Sequence, residues 1–373
     1  MAIKTLPKAM AALAATGLAL TACASPENNA SQQQAGEGAK LPSRITLVIP
    51  YSEGGGTDTW ARFMTKYLTE TVAGNPTFTP ENRPGGESIT GSNAYAASGG
   101  TDGSQLLVTS GTTYFQYLLG RKEVNFDFTK MRPLILNGTG GVIYVSKASG
   151  IASVEDLKKP SQPLKYGAIS ATGLDLSTLL AFDLLGLDVQ ATFGFEGRGP
   201  ARLALERGEV NIDYQTTSAY QTEVEPLAEK GSVVPLMSFG QVDASGTVVR
   251  DENLPDLPTV EEVYEKLNGS KPSGPKYDAY KAFLLAGYPY QKGLWINAGA
   301  PDSVVTPFWD AADKLKGDQK FNTEGKKVLG GYPLTSGRDA GPALEKAFNI
   351  SDESRAYVLD LLKNKYETTV ETK

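Results

Sequence analysis

Five short segments combine glycine with hydroxyl, amide or guanidinium groups, a composition suited to binding a small anion. They are residues 50–58, 110–113, 170–173, 197–199 and 215–218. Taken singly, a glycine triplet is typical of a tight turn, and a hydroxyl is typical of a helix cap. Most of these segments follow a β-rich run and precede a helical pattern. Free backbone N–H groups and the helix dipole favour anions there. Together the segments indicate recognition of an anion.

The composition excludes several kinds of catalytic site. The 373-residue chain has no His and one Cys, which rules out a Ser-His-Asp triad, a His-ligated metal and a cysteine-rich zinc site. The formal net charge of −6 argues against nucleic acid as a partner. A catalytic carboxylate pair stays open, because no spacing singles out two of the 42 acidic residues. We expect no catalytic residue, no metal and no cofactor.

The N-terminal segment has the pattern of an export signal. Two lysines precede an apolar run at residues 9–20, which is typical of a secretory signal peptide and too short to span a membrane. The small residues before Cys23 resemble a bacterial lipobox. We therefore expect a signal peptide at 1–22, acylation of Cys23 with palmitate among the acyl groups, and a flexible tether at 23–42. The predicted location is extracytoplasmic, with the lipoprotein anchored to the bacterial membrane.

The rest of the chain alternates between β-rich runs and helical patterns. The predicted strands are 45–49, 105–109, 134–145 with a glycine-rich interruption, 164–169, 189–193, 210–214, 233–238 and 293–297. This alternation predicts mostly parallel sheets flanked by helices, in more units than one sheet holds. We predict an α/β fold with one domain at 43–147 plus 291–373 and a second at 148–290. Ligands in such sheets bind beyond the carboxyl ends of the strands, so a cleft between the domains is expected.

Several motifs resemble the solute-binding proteins of tripartite tricarboxylate transporters. The sequence IPYSEGGGTD at 49–58 is similar to the opening motif of that family, and ENRPGG at 81–86 is similar to its second motif. Further similar stretches lie at 106–112, 197–213 and 257–261. The similarity runs in order from about residue 44 to residue 340, which is nearly the whole body of the chain.

The resemblance implies a type II-like periplasmic-binding fold of two domains that closes over a small carboxylate. The ligand would be a di- or tricarboxylate, an aromatic acid or an acidic amino acid. A monomeric receptor would deliver it to a membrane permease of one large and one small subunit. The residues that the resemblance and the loop composition place in the site are Tyr51, Ser52, Gly55, Thr57, Asp58, Ser110, Gly111, Thr112, Ser170, Thr172, Gly173, Phe195 and Arg198.

Three charged residues depart from the family pattern and leave the ligand open. Glu53 stands where a small residue or Pro is usual, Glu196 replaces a frequent Lys, and Arg198 replaces a small residue. If Glu53 faces the cleft, it would repel a carboxylate unless Arg198 or an amine of the ligand offset its charge. Glu196 and Arg198 together could instead be an exchange of charges on the rim of the cleft. Two other functions remain: a lipoprotein that senses a ligand for another membrane protein, and an exported carboxylate-based hydrolase.

Overall fold

Two large β-sheets flanked by helices, with one small two-stranded sheet, form the fold in the computed structural model, which describes residues 40–243 and 245–373. The predicted signal peptide, Cys23 and nearly all of the tether lie outside the described residues. The strands are β1 (Arg44–Ile49), β2 (Thr77–Asn82), β3 (Gln105–Ser110), β4 (Met131–Asn137), β5 (Gly141–Ser146), β6 (Leu164–Gly167), β7 (Val189–Thr192), β8 (Ile212–Thr216), β9 (Val233–Ser238), β10 (Gln241–Val242), β11 (Val248–Val249), β12 (Lys292–Asn297) and β13 (Leu334–Ser336).

The helices cover the two sheets and connect most of the strands. They are α1 (Gly56–Thr71), α2 (Ile89–Ser98), α3 (Gly111–Leu118), α4 (Asp175–Leu184), α5 (Arg198–Glu206), α6 (Thr217–Ala219), α7 (Glu225–Glu229), α8 (Val260–Asn268), α9 (Pro275–Gly287), α10 (Asp302–Lys316), α11 (Gln319–Leu329), α12 (Gly337–Phe348) and α13 (Asp352–Tyr366). A π-helical turn, Tyr220–Val224, joins α6 to α7, and 3₁₀ turns lie at Gly86–Ser88, Phe128–Lys130, Lys147–Ser149 and Val154–Lys158. Within residues 40–243 and 245–373, no helix is both long and apolar enough to cross a membrane.

The two sheets define what we call the first and the second lobe. The six-stranded sheet of the first lobe has the order β13-β4-β12-β3-β1-β2, and the five-stranded sheet of the second has the order β7-β6-β8-β5-β9. Most strands in each sheet run in one direction, as predicted. The exceptions are β12 and β13 in the first sheet and β5 in the second, which run antiparallel to their neighbours. Each sheet is therefore mixed, and the predicted α/β class is confirmed.

Local sequence explains where the site-bearing elements begin. Strand β1 is rich in β-branched residues, and helix α1 buries Trp60, Met64 and Leu68 against it at helical spacing. The predicted capping box begins α8, because the Thr259 hydroxyl accepts from the Glu262 N–H while the Glu262 carboxylate accepts from the Thr259 N–H. Ser110 caps α3 in the same manner. The loops between strands and helices are thereby fixed at the carboxyl ends of the strands.

The chain crosses between the sheets earlier than the predicted domain boundary at residue 147. The glycine-rich segment 138–140 ends β4 in the first sheet, and β5 then pairs with β8 and β9 of the second. Helix α13 falls in the range predicted for the first domain, yet it packs against α9, and its Tyr357 donates a hydrogen bond to Asp183 of α4. Four strands are absent from the sequence analysis: β2, which has few apolar residues, and the short β10, β11 and β13.

Candidate functional site

Loops at the carboxyl ends of β1 and β3 form the first-lobe part of the candidate site. The Tyr51 hydroxyl lies 2.7 Å from both the Ser110 and the Thr113 side-chain oxygens. Burial raises the pKa of Tyr51, so the phenol is neutral at physiological pH. Gly111 follows in a tightly packed position, because a Cβ there would lie 2.9 Å from the Gly287 carbonyl and 2.8 Å from Leu174. The predicted neighbours Tyr51 and Ser110 are therefore in direct contact.

The Asp58 side chain holds the glycine loop through a hydrogen bond from its backbone. Its buried carboxylate accepts hydrogen bonds of 2.9 Å from the Gly54 N–H, the Arg62 Nε and the Asn82 amide. Burial raises the pKa of Asp58, but the hydrogen bonds from Arg62, Gly54 and Asn82 outweigh it and leave the pKa below its ordinary value. The Asp58 carboxylate is therefore engaged by donors of the protein itself. Ser52 and Gly55 are exposed, and Thr57 lies in the first turn of α1.

Replacing Asp58 with Asn is expected to destabilise the protein by about 1–3 kcal/mol at neutral pH, because buried donors lose a charged acceptor. A carboxyl group whose folded pKa is lowered stabilises the fold above its ordinary pKa, and this stabilisation is lost as pH falls through the folded value. The free energies of unfolding of the wild-type protein and of Asp58→Asn, measured with denaturant, should therefore become more similar as the pH is lowered. Glu53→Gln is the control, since Glu53 is 78% exposed and 3.8 Å from the same Arg62. An equal loss in both variants would contradict this role.

Lys292 is the cation that the sequence analysis missed. As the first residue of β12 it lies directly opposite Ser110 of β3 on one side and Asn137 of β4 on the other. Residues opposite each other in an antiparallel pair have Cβ atoms about 5 Å apart and share a face. Within the described part of the chain, no carboxylate lies within 4.0 Å of the Lys292 amine. Burial alone lowers the pKa of Lys292 to about 8.

Loop 170–174 supplies the second-lobe part of the site and meets the first lobe. The Leu174 N–H donates to the Thr112 hydroxyl at 3.2 Å, and the Gln116 amide donates to the Thr172 carbonyl at 2.9 Å. The hydroxyls of Ser170 and Thr172 both donate to the carboxylate of Glu87, a residue of the first lobe. The predicted group Thr112, Ser170, Thr172 and Gly173 is thus brought together, with Glu87 at its centre.

Glu87 lies in an unusual stretch of backbone directly after the second motif. Gly85, Gly86, Glu87 and Ser88 have φ values of 140°, 54°, 54° and 82°. Glycine adopts such angles freely, but a left-handed conformation costs other residues roughly 1–2 kcal/mol each. Strain of this kind persists where the surrounding contacts hold it in place, and it clusters at functional sites. Within this stretch the Glu87 carboxylate accepts hydrogen bonds from Ser170, Thr172 and Arg121.

Arg198 is the centre of a buried network in the second lobe rather than a free cation. Its Nη1 donates to Asp175 at 2.8 Å and to the Gly167 carbonyl at 2.9 Å, and its Nη2 donates to Asp213. The hydroxyls of Tyr166 and Tyr144 donate to the same two aspartates. Burial raises the pKa of Asp213, although Arg198 and Tyr144 oppose this. Two carboxylates therefore share one guanidinium.

The other two charged positions, Glu53 and Glu196, and the aromatic Phe195 differ in exposure. Glu53 is exposed and pairs with Arg62 instead of Arg198, and Glu196 is exposed as well. Phe195 is half-buried, packs with the second-lobe core and lies over Gly167, where a Cβ would come 3.0 Å from its ring. The assignment of ligand binding to the thirteen residues named from the sequence stays a prediction.

Two features of the sequence could have indicated the missed residues. Lys292 is a single charge at the start of an otherwise apolar strand run, and Glu87 is a charge directly after the glycine pair of the second motif. The position of Lys292 beside Ser110 depends on antiparallel pairing between strands far apart in sequence, and the contact of Glu87 with Ser170 depends on how the lobes meet. Neither can be derived from local patterns.

Comparison with known proteins places the chain among periplasmic binding proteins by fold. No family model matches it. A curated relative, the "UPF0065 protein in tcbD-tcbE intergenic region" of Pseudomonas sp., is 26% identical over 230 residues, which is 60% of this chain. The match spans 64% of that protein's length, a little under two thirds.

Solved structures similar to this chain cover nearly all of its described part. A protein of R. palustris with adipate has a TM-score of 0.62 at 21% identity, covering 86% of this chain and 98% of that one. MatC of Rhodopseudomonas palustris with bound malate has a TM-score of 0.58 at 20% identity, with 83% and 99% covered. A TctC solute binding protein from Polaromonas has a TM-score of 0.60 at 18% identity, with 86% and 98% covered.

The fold is therefore that of a periplasmic binding protein, as the sequence motifs implied. The particular proteins that it is similar to are TctC-type and related solute-binding proteins, the group to which the motifs at 49–58 and 81–86 pointed. At about 20% identity these likenesses establish the fold, while the ligand of this chain has to be argued from its own residues.

Proposed function

We propose that this protein is an extracytoplasmic receptor that captures a small organic carboxylate and delivers it to a membrane transporter of the tripartite tricarboxylate type. The observation that carries the proposal is Lys292, a partly buried cation with no carboxylate within 4.0 Å of its amine among the described residues, directly opposite Ser110, whose hydroxyl contacts that of Tyr51. A buried charge is normally paired. The carboxylate of a ligand would supply the missing partner.

The surrounding groups suit the same ligand. The Ser110 hydroxyl and the α3 N-terminus offer donors and a favourable dipole on one side of Lys292. On the other side of Lys292, the Asn137 side-chain N–H donates to the Tyr332 carbonyl at 3.1 Å. The solved relatives with adipate and with malate are carboxylate complexes of the same fold, which supports a carboxylate here.

The receptor interpretation requires no catalytic residue. The buried acidic pair of the second lobe, Asp175 and Asp213, is bridged by Arg198 and accepts hydrogen bonds from Tyr166 and Tyr144, whereas a glycosidase needs two carboxyls that are free to act on a substrate. The relatives of the same fold are described as periplasmic binding or transport proteins. Acylation at Cys23 would tie the receptor to the membrane beside its transporter.

A thermal-shift screen of the purified protein tests the proposal. Mono-, di- and tricarboxylates, aromatic acids and acidic amino acids are compared with amides of the same carbon skeletons. We expect at least one acid to raise Tm in a concentration-dependent manner while its amide does not, because binding to the folded state alone stabilises it. A screen in which no acid raises Tm, or in which amides act equally, would contradict a carboxylate receptor.

A further inference from the structure

Glu87 occupies the hydroxyl groups that the sequence analysis assigned to a ligand carboxylate. The Ser170 hydroxyl donates to its Oε1, and the Thr172 hydroxyl donates to its Oε2 at 2.5 Å. Arg121 Nη1 donates to Oε2 at 2.9 Å, which completes the coordination of the carboxylate. The side chain of Glu87 is 27% exposed and that of Arg121 is 22% exposed, so the contacts are partly shielded from water.

The same carboxylate joins the two lobes. Glu87 and Arg121 belong to the first lobe, and Ser170 and Thr172 belong to the second. Arg121 also donates to the Gln116 side-chain oxygen at 2.9 Å, and Gln116 donates in turn to the Thr172 carbonyl. The ring of contacts therefore runs from Glu87 through Arg121, Gln116 and Thr172 back to Glu87.

We propose that Glu87 is a tethered carboxylate that fills the second-lobe hydroxyl site, so that the receptor selects monocarboxylates over dicarboxylates. The inference rests on the proposed function, because Lys292 is the position left for the carboxylate of a ligand. A second ligand carboxylate would have to displace Glu87 from Ser170, Thr172 and Arg121. It would also leave the displaced glutamate close to a like charge, which is unfavourable in a partly shielded site.

Two substitutions of Glu87 separate the carboxylate from the backbone conformation. Glu87→Gly deletes the carboxylate and suits φ of 54°, so this variant is expected to fold. Glu87→Gln retains the length of the side chain and removes the charge. Glu123→Gln is the matched control, because Glu123 contacts the same Arg121 at 3.4 Å but is exposed and does not touch the second lobe. It also removes the same single charge.

The experiment measures Kd by calorimetry for acid pairs that share a carbon skeleton: butyrate and succinate, hexanoate and adipate, benzoate and terephthalate. We expect the wild-type protein to bind the monocarboxylate of a pair more tightly than the dicarboxylate. Glu87→Gly should shift the Kd ratio by about tenfold or more towards the dicarboxylate, Glu87→Gln in the same direction, and Glu123→Gln should leave it unchanged.

The outcomes distinguish this inference from the proposed function. Equal or tighter binding of the dicarboxylate by the wild-type protein, an unchanged ratio in Glu87→Gly, or an equal shift in Glu123→Gln would overturn the role of Glu87 while leaving a carboxylate receptor intact. If neither the wild-type protein nor any variant binds any of the acids, the proposed function itself fails, and the inference fails with it.

Discussion

Replacing Lys292 with Met is expected to weaken carboxylate binding by about 10- to 100-fold and, at the same time, to raise Tm. The loss of affinity follows from the removal of a charge-assisted contact in a partly desolvated position, which contributes about 1.5–3 kcal/mol. The gain in stability follows because burial lowers the pKa of Lys292 to about 8, which shows that the fold disfavours its charged form. Opposite effects on affinity and stability are characteristic of a binding residue that strains the fold.

The matched control for this substitution is Lys165→Met. Lys165 also lies on a strand, β6, but it is exposed, and loss of its charge should change neither affinity nor Tm appreciably.

The stability of the protein should also depend on pH through Lys292. Since the folded pKa of Lys292 lies below its ordinary value, the wild-type protein should gain stability as pH rises from about 8 towards the ordinary Lys pKa, and Lys292→Met should lack this gain. Unchanged affinity in Lys292→Met would remove this residue from the site.

The largest expected effect on stability is that of Arg198→Met, a loss of about 3–5 kcal/mol. The substitution leaves Asp175 and Asp213 without their shared cation, and both carboxylates are almost fully buried, with side chains 3% and 0% exposed. An uncompensated buried charge costs far more than a lost surface pair. Equilibrium denaturation in urea measures the loss directly.

One control variant and one double variant test whether the loss in Arg198→Met comes from the buried charges. Arg207→Met removes an arginine next to α5 that is 63% exposed and pairs with an exposed Glu209, so a change within about 0.5 kcal/mol is expected. Adding Asp213→Asn to Arg198→Met should restore part of the stability, because one of the two stranded charges is removed. A loss of less than 1 kcal/mol in Arg198→Met, or no recovery in the double variant, would contradict the buried network.

The Arg198→Met deficit should also depend on pH in a defined direction. Burial raises the pKa of Asp213, and without Arg198 nothing of comparable strength opposes that shift. A carboxyl group whose folded pKa is raised destabilises the fold above that pKa, and the penalty disappears as the group is protonated. The difference in free energy of unfolding between the wild-type protein and Arg198→Met should therefore become smaller as pH falls towards about 4, the ordinary pKa range of Asp.

Much of the fold could be predicted from local patterns. Strand β1, the capped helix α8 and the Ser110 start of α3 follow from β-branched runs and capping residues that act within a few positions. The motifs at 49–58 and 81–86 then indicated the periplasmic-binding architecture, which is confirmed. The order of the strands in the sheet could not be predicted, because β12 pairs with β3 and β4 from more than 150 residues away. For the same reason, the predicted domain boundary at residue 147 lies after the segment 138–140, where the chain crosses between the sheets.

The candidate site was predicted less completely than the fold. Tyr51, Ser110, Thr112, Ser170 and Thr172 do gather where the lobes meet, since loops at the carboxyl ends of strands converge. Arg198 has the cationic character that a site for acids calls for, but two buried aspartates already neutralise it, and a sequence does not show which charges are paired. The converse holds for Lys292, because only the three-dimensional structure shows that no carboxylate of the described residues lies within 4.0 Å of its amine.

Calorimetric titration of the wild-type protein across pH tests the central claim most directly. The acid with the largest thermal shift is titrated between about pH 6 and pH 10, a range that spans the Lys292 pKa of about 8. We predict that affinity is constant below that pKa, falls by up to about tenfold per pH unit above it, and is accompanied by proton uptake near it, because a bound carboxylate raises the pKa of Lys292. An affinity independent of pH, or the same pH dependence in Lys292→Met, would contradict a carboxylate bound at Lys292.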